Sequence, residues 1–137
     1  MQKKIEVVKL AELDGGPVDM GKYNGKTVFV NFWATWCKPC LQEMPSIQRM
    51  MEKVKEENIV FLFASDETAE QVENFKARNQ YPFHFVLLKN SEELNIMALP
   101  TTFIFNPNGE LVFSEMGVRE WDDKANINLI QKIARQK

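Results

Sequence analysis

The only two cysteines of the chain, Cys37 and Cys40, are separated by two residues, a spacing that suits reversible disulfide chemistry. They follow an apolar run that ends in Trp36, and they open an amphipathic helical pattern. Residues three apart share one helix face with Cβ atoms roughly 5–6 Å apart, so a disulfide needs little backbone movement. Free N–H groups and the helix dipole stabilise a thiolate at a helix N-terminus, and Lys38 adds a cation. We therefore predict that Cys37 is the attacking nucleophile and Cys40 the resolving thiol.

A carboxylate follows the pair on the same face of the predicted helix. Glu43 lies three residues beyond Cys40, so its side chain can approach that sulfur. There it would take the proton from Cys40 when Cys40 resolves a mixed disulfide. A solvated acid on the helix surface accounts for Glu43 equally well, and the spacing alone leaves both interpretations open.

The segment Leu99-Pro100-Thr101, ahead of a predicted strand, also has two interpretations. The proline can be a simple helix stop. If the bond before Pro100 is cis, the loop would place backbone groups beside the cysteines, where they can pair with a substrate peptide. The sequence does not show the isomer.

The supply of ligand residues argues against a bound metal. A zinc site needs four ligands, and the chain has two cysteines and a single histidine, His84. His84 lies between Phe83 and Phe85 in a strand-like run, so we expect an ordinary strand residue. The predicted redox group is therefore the Cys37–Cys40 pair itself, with no metal and no further cofactor.

Length and composition limit the number of domains and the kinds of partner that the chain can have. A chain of 137 residues suits one domain, in which 1–26 forms an N-terminal extension or hairpin and 27–137 the core. The net charge of -2 and the lack of a basic stripe argue against nucleic acid as a partner. The longest apolar segments, such as Ile59 to Ala64, are far shorter than the about 20 residues that a membrane span requires.

The strand that must deliver the cysteines is predicted at 27–34. It is nearly continuous in β-branched and aromatic residues, which is typical of a central strand covered on both faces. Asn31 is its one strongly polar residue and shares a face with Phe29 and Trp33. We therefore predict that Asn31 is buried and hydrogen-bonded.

The helix that carries the cysteines begins after Cys37. Its apolar residues recur at spacings of three and four and predict a stripe that faces the core. The residues of this stripe are Leu41, Met44, Ile47, Met51 and Val54. Pro39 is tolerated in the first turn, where its missing N–H would have no partner, whereas Pro45 should kink the helix and Asn58 should close it.

The rest of the chain alternates strands with helices. Further strands are predicted at 6–10, 59–64, 83–88, 102–105 and 111–114. Further helical segments are predicted at 68–79 and 121–135, and a short helical turn at 92–97. Ser65-Asp66 should cap the first of these helical segments, and Ala125 should face the core from the last. This order predicts a parallel half-sheet with right-handed crossovers, to which a hairpin adds antiparallel strands.

Three stretches together resemble the thioredoxin fold, namely NFWATWCKPCLQEMP, LPTTFIFNPNG and the later Gly117. In this combination they are similar to the TlpA/ResA-like branch of the AhpC/TSA-related redoxins, a group of bacterial thiol–disulfide oxidoreductases. The resemblance covers nearly the whole chain. It implies a thioredoxin-like three-layer α/β/α sandwich around a central mixed sheet, with an N-terminal β extension.

The resemblance also implies roles for individual residues. Pro100 matches the cis-proline that faces the nucleophile Cys37 and the resolving Cys40. The implied substrate-binding residues are Trp36, Lys38, Pro39, Leu99, Pro100, Thr101 and Gly117. Asn31 stands where ordinary thioredoxins carry a buried aspartate that accepts a proton, and an amide cannot titrate. Glu43 occupies the position of a glutamate that ResA-like proteins place near the cysteines, which favours its catalytic interpretation.

Partners and location follow from the same resemblance. Members of this branch are commonly exported or membrane-tethered dithiol reductases, some of them in cytochrome c maturation. The implied protein is a monomer in cell redox homeostasis that reduces disulfide-containing proteins and receives electrons from an upstream dithiol donor. An extracytoplasmic location, periplasmic or membrane-tethered, is implied too. The first ten residues carry charges and no apolar signal region, which leaves a cytoplasmic protein, or one without its targeting segment, as the alternative.

Two other functions occur on the same fold. Peroxiredoxins place a threonine three residues before the reactive cysteine, and here that position is Ala34. Copper-delivery modules use three residues between the cysteines plus a histidine, whereas two residues separate Cys37 from Cys40. Both differences favour the oxidoreductase over a peroxidase or a non-catalytic metal-delivery module.

Overall fold

A computed structural model describes residues 3–136, whose elements are one six-stranded mixed sheet and three α-helices. The strands are β1 Leu10–Ala11, β2 Thr27–Phe32, β3 Ile59–Ser65, β4 His84–Leu88, β5 Thr101–Phe105 and β6 Leu111–Met116. The helices are α1 Lys38–Lys53, α2 Ala69–Arg78 and α3 Lys124–Ala134. Short 3₁₀ helices occupy Ile5–Val7 and Met20–Tyr23.

The strand before the cysteines, β2, lies inside the sheet, whose order is β1-β4-β3-β2-β5-β6. It pairs in parallel with β3 and antiparallel with β5, and all six of its residues are buried. The parallel pairs β2–β3 and β3–β4 and the antiparallel β5–β6 hairpin agree with the predicted mixed sheet. The thioredoxin-like α/β fold is therefore confirmed, with β2 as a central strand covered on both faces.

The two faces of the sheet are covered differently. One face packs against all three α-helices, through buried residues such as Met44 of α1, Phe75 of α2 and Ile130 of α3. The other face packs against the N-terminal extension and the segment before β5, through residues such as Val8 and Leu94. The second outer layer thus consists of 3₁₀ helices, turns and loops, whereas the α-helices share the first.

Helix α1 continues through Pro45 but ends at Lys53, five residues before the predicted end at Asn58. Its buried side includes Met44 and Ile47 of the predicted stripe. Within residues 3–136, no α-helix combines the length and the apolarity that a bilayer span would need.

The predicted strand at 6–10 is wrong. Residues Ile5–Val7 form a 3₁₀ helix, and only Leu10–Ala11 pairs with β4. Ile5 and Val8 are both buried, and residues three apart lie on the same side of a 3₁₀ helix. The apolar residues at the start of this stretch therefore belong to a turn that buries the side chains of Ile5 and Val8.

The short helical turn predicted at 92–97 agrees with turns at 91–95, which end at Asn95 with a φ of 54°, outside the right-handed helical region. The predicted cap of the second helix is corrected. Helix α2 is capped by Thr68: its hydroxyl accepts from Gln71 N and the Gln71 side chain accepts from Thr68 N. Ser65, part of the predicted cap, is instead the last residue of β3.

The last helix is shorter than the predicted 121–135, because α3 begins at Lys124. Ala125 is exposed, contrary to prediction, while Asn126 is buried and binds Arg119 and the Glu120 carbonyl. Trp121 precedes the helix and is itself 1% exposed. The segment between β6 and α3 is therefore a packed connection rather than the first turn of a helix.

Candidate active site

The two cysteines lie where the chain passes from β2 to α1, and they form a disulfide with a Cα–Cα distance of 5.3 Å. Cys37 is the N-cap residue of α1, and its Sγ accepts a hydrogen bond of 3.3 Å from Cys40 N. A reduced Cys37 in this position would receive the same donor as a thiolate, together with the positive end of the helix dipole. The junction therefore favours a reactive sulfur at Cys37.

The two sulfur-bearing residues differ in access. Cys37 is 4% exposed, whereas Cys40 is 0% exposed and lies one turn inside the helix. Trp36 beside them is 74% exposed. A substrate disulfide can thus approach Cys37 more directly than Cys40, which is the order that the predicted roles require.

The loop before the cysteines is fixed by a carboxylate that sequence reasoning missed. Glu67 Oε1 accepts from Thr35 N at 2.8 Å, and Glu67 Oε2 accepts from Thr35 Oγ1 at 2.6 Å. Ser65 Oγ donates to Glu67 Oε1 at 2.7 Å. This clamp holds the residue before Trp36 to the end of β3, and the sequence carries no spacing that would reveal it.

Glu43 is a buried carboxylate, 1% exposed, so its interpretation as a solvated surface acid is wrong. Its Oε1 accepts from Asn31 Nδ2 at 3.1 Å. Its Oε2 accepts from the backbone N of Arg119 at 2.9 Å and from Trp121 Nε1 at 3.0 Å. Asn31 is thus buried and hydrogen-bonded as predicted, and its partner is the acid on the cysteine helix.

The surroundings of Glu43 have opposing effects on its pKa. Burial raises the pKa of Glu43 above its usual value and is the largest effect. The hydrogen bonds from Arg119, Trp121 and Asn31 lower the pKa, while the negative charge of Glu120 adds to the rise. The net result is a carboxyl group whose pKa is moved upward, towards the range in which a side chain exchanges protons near neutrality.

The predicted substrate-binding residues do not all meet in one place. The Leu99-Pro100 bond is cis, and Gly117 N donates to the Pro100 carbonyl at 2.8 Å, so these two residues of the predicted rim are joined. Trp36 and Leu99 line a cavity of about 290 Å³ whose other walls include Phe32 and Ile96. Lys38 and Pro39 are exposed at the start of α1 and do not line that cavity.

A second depression lies on the other side of Met97, which lines both cavities. Thr101 and Met116 line this depression, whose volume is about 330 Å³. Trp36, Met97, Met116 and Val118 are the large hydrophobic residues with exposed side chains in the described part of the chain. They belong to the cysteine loop, the segment before Pro100 and the segment around Gly117, so exposed apolar surface concentrates on these loops.

The residues that could bind a metal are few and scattered in the part of the chain that the structure describes. No group of three or more His, Cys, Asp and Glu residues suited to a metal ion occurs within the described range. His84 begins β4, and its Nε2 lies 2.8 Å from Glu12 Oε1.

The model of the AhpC/TSA family matches residues 1–114 of the chain. The chain belongs to the AhpC/TSA family. It is 32% identical over 121 residues to the thiol-disulfide oxidoreductase ResA of Bacillus thuringiensis subsp. konkukian, a match that covers 81% of this chain and 70% of the relative. It is 37% identical over 106 residues to ResA of Geobacillus kaustophilus, covering 74% of this chain and 61% of that protein.

A solved structure supports the fold of this AhpC/TSA family member. The thiol:disulfide interchange protein from Chlorobium tepidum TLS superposes with a TM-score of 0.71 at 24% identity, covering 92% of this chain and 91% of the other. The match shows a thioredoxin-like fold. With the ResA similarity and the disulfide at the start of α1, the chain is a thiol–disulfide oxidoreductase of the ResA-like type.

Proposed function

We propose that the protein reduces disulfides of other proteins, with Cys37 as nucleophile and Cys40 as resolving thiol. The observation that carries the proposal is the position of the pair, because Cys37 caps α1 and is the less buried of the two. The Cys40 N–H that now reaches Cys37 Sγ would stabilise the thiolate that attacks.

The reaction balances with two electrons and two protons. The Cys37 thiolate attacks one sulfur of the substrate disulfide, a Cys37–substrate bond forms, and the first substrate sulfur leaves and takes a proton from solvent. Cys40 then gives its proton to a base, attacks Cys37 Sγ, and displaces the second substrate sulfur, which takes up a proton as the base releases the one it received. The substrate gains two electrons and the Cys37–Cys40 disulfide forms. An upstream dithiol donor returns the pair to the reduced state.

The base in this scheme is Glu43, one helical turn beyond Cys40 and on the same buried face. Asn31 cannot accept a proton at the position where thioredoxins carry an aspartate, but it donates to Glu43 and orients it. The raised pKa of Glu43 brings this carboxylate closer to the pKa of a thiol, which favours proton transfer between them. We expect Glu43→Gln to slow resolution and to shift its pH dependence, while the fold remains intact.

The groove around the disulfide supports a polypeptide substrate. The exposed Trp36 and Met97 and the cavity of about 290 Å³ offer an apolar surface beside Cys37. Leu99, Pro100, Thr101 and Gly117 would bind the backbone and side chains on one side of the scissile disulfide. Lys38 and Pro39 would meet it on the other.

The central experiment follows the mixed disulfide with insulin as the protein substrate. Reduced Cys40→Ser protein should accumulate a covalent adduct at Cys37, whereas the wild-type protein should release reduced insulin and end with the Cys37–Cys40 disulfide. Cys37→Ser is the matched control and should form no adduct. Rapid turnover of hydrogen peroxide by Cys40→Ser, without a disulfide substrate, would instead establish a peroxidase.

The reductive direction is inferred from the resemblance to dithiol reductases. Equilibration of the Cys37–Cys40 pair with reduced and oxidised glutathione measures its potential. We expect the pair to be more reducing than glutathione. A more oxidising potential would reverse the direction and leave the roles of the two cysteines unchanged.

The proposed function also includes the domain organisation, the oligomeric state and the cellular location of the protein. We propose a monomer with one domain, in which 27–137 is the thioredoxin-like core with the redox centre and 1–26 is an N-terminal extension or hairpin. We also propose an extracytoplasmic location, because proteins of the ResA-like branch are commonly exported or tethered. Labelling of Cys37 in intact, reductant-treated cells with a membrane-impermeant thiol reagent tests the location, and labelling only after lysis would indicate a cytoplasmic protein.

A further inference from the structure

Two of the three donors to Glu43 come from one connection, residues 117–121 between β6 and α3. The backbone N of Arg119 lies 2.9 Å from Glu43 Oε2, and Trp121 Nε1 lies 3.0 Å from the same oxygen. Both donors stabilise the ionised carboxylate over the protonated acid. This connection can therefore affect the pKa of Glu43, although Glu43 belongs to α1.

The connection is tied to α1 by a second residue, one turn further along the helix. Ser46 Oγ accepts from Trp121 N at 3.2 Å and donates to the Arg119 carbonyl at 3.3 Å. The same hydroxyl lies 3.0 Å from the Glu43 carbonyl. Ser46 thus fixes the backbone on both sides of Glu120 against the helix turn that carries Glu43.

The guanidinium of Arg119 holds the connection from its outer side. It donates to Glu115 Oε2 at 2.6 Å and to Asn126 Oδ1, which joins the end of β6 to the start of α3. It also lies over the Phe113 ring, with its Cζ 5.0 Å from the ring centroid, and 5.7 Å from that of Trp121. These contacts keep the Arg119 N–H and the indole aligned on one carboxylate oxygen.

The indole of Trp121 is held in place by packing. It is 1% exposed and meets Phe29 of β2 edge-to-face at 4.9 Å between ring centroids. Packing alone would suit any large aromatic residue here. A tryptophan adds to the aromatic packing an Nε1–H donor that phenylalanine lacks, and in this structure that hydrogen is donated to Glu43 Oε2.

We propose that Trp121 and Arg119 are positioning residues of the redox reaction, which hold Glu43 in place to accept the Cys40 proton. This inference rests on the proposed function, in which Glu43 is the base of the resolving step. The donors lower the pKa of Glu43 against the larger effect of its burial, so they help to determine the pH above which resolution proceeds.

Trp121→Phe tests the inference because it keeps an aromatic side chain at this position and deletes the Nε1–H donor, while the volume lost with the indole is controlled by a separate packing variant. Reduced protein is mixed with dithiobis(nitrobenzoate), and release of the second nitrothiobenzoate reports attack by Cys40 on the mixed disulfide. The acid limb of the pH–rate profile is the low-pH range in which this step slows as Glu43 becomes protonated. We expect the acid limb to move to higher pH. At acid pH the rate of the step should fall about tenfold, the effect of losing one hydrogen bond to a charged group. The first release, by Cys37, should be unchanged.

Phe113→Leu is the matched control, because it loosens packing around Trp121 and Arg119 without removing a donor. A purely structural role for Trp121 predicts that both variants lose stability and that neither moves the acid limb, and this outcome would overturn the inference. Ser46→Ala is a second, milder variant that releases the connection from α1. We expect it to move the acid limb in the same direction as Trp121→Phe.

A direct titration of Glu43 separates this inference from the proposed function. Carboxyl-labelled NMR should show a higher pKa of Glu43 in Trp121→Phe than in the wild-type protein, whatever the catalytic role of Glu43. If Glu43→Gln leaves resolution unchanged at every pH, the role of Glu43 as base fails. If the NMR titration of Glu43 is the same in Trp121→Phe and in the wild-type protein, the positioning role fails.

Discussion

Trp121 Nε1 donates a hydrogen bond of 3.0 Å to Glu43 Oε2, although the two residues are 78 positions apart in the sequence. Both side chains are 1% exposed. A buried carboxylate is costly unless donors surround it, so the contact explains how α1 can carry an acid on its inner face. The contact also joins the connection between β6 and α3 to α1, the helix at whose start the reactive cysteines lie.

Glu43 makes the stability of the folded protein depend on pH in a defined direction. Its pKa is raised above 4.5 in the folded state, so the folded protein holds this proton more tightly than the unfolded chain. The stabilisation from the protonated form is complete below the unfolded pKa and is lost as the pH rises through the folded pKa. We expect the free energy of unfolding to fall across this window by up to about 1.4 kcal/mol per pH unit.

Urea unfolding of the oxidised protein at a series of pH values measures this dependence. The comparison is between wild type and Glu43→Gln, with Glu73→Gln on the exposed side of α2 as the control. Glu43→Gln should lose the decline, whereas Glu73→Gln should keep it. Parallel curves for wild type and Glu43→Gln would show that the pKa of Glu43 does not change on folding.

Asn31→Asp should couple two carboxyl groups. Asn31 Nδ2 lies 3.1 Å from Glu43 Oε1, and like charges at this separation cannot both ionise at low cost. We expect the pair to share a proton and titrate in two separated steps, with a lower free energy of unfolding at pH 8 than at pH 5. NMR titration of both carboxyls and denaturant unfolding measure this. Asn128→Asp, on an exposed part of α3, adds the same charge as a control and should show a single step for Glu43.

Substitutions of Trp36 and Trp33 should have different effects, one on substrate binding and the other on the stability of the fold. Trp36 is 74% exposed and Trp33 is 1% exposed. Trp36→Ala should change the free energy of unfolding by less than about 0.5 kcal/mol and raise KM for insulin about tenfold or more, because aromatic residues dominate protein interfaces. Trp33→Ala should cost about 3–5 kcal/mol of stability. Equal KM values for Trp36→Ala and wild type would remove Trp36 from the substrate surface.

Glu67 should act on the active-site loop through Thr35. Glu67→Ala leaves Thr35 N and Oγ1 without their acceptors at 2.8 and 2.6 Å. We expect a loss of about 1–3 kcal/mol in the free energy of unfolding, together with weaker binding of insulin as the loop around Trp36 loosens. Unfolding curves and steady-state kinetics test this against Glu70→Ala, an exposed acid at the start of α2. If the two variants behaved alike, the clamp would have no effect on the loop.

The sequence by itself determined the reactive pair and the sheet around it. Cys37 and Cys40 are the only cysteines, and their spacing has one dominant chemistry at a strand-to-helix junction. The strand and helix nearest the site have strong apolar patterns, so the starts of β2 and α1 agree with prediction, whereas α1 ends five residues earlier than predicted. The start of the last helix is harder to predict, because the buried Trp121 suits a helix or a packed connection equally well.

Only the tertiary structure decided what surrounds Glu43. Spacing placed the acid near Cys40 but could not distinguish a solvated surface from a buried site. The donors arrive from Asn31 on β2 and from Arg119 and Trp121 after β6, which are distant in sequence and have no common periodicity. The chain brings them together because β2 and β6 flank β5 in one sheet, and the connection to α3 then passes back over α1. Local patterns specify elements, whereas the environment of a buried charge depends on which elements pack against it.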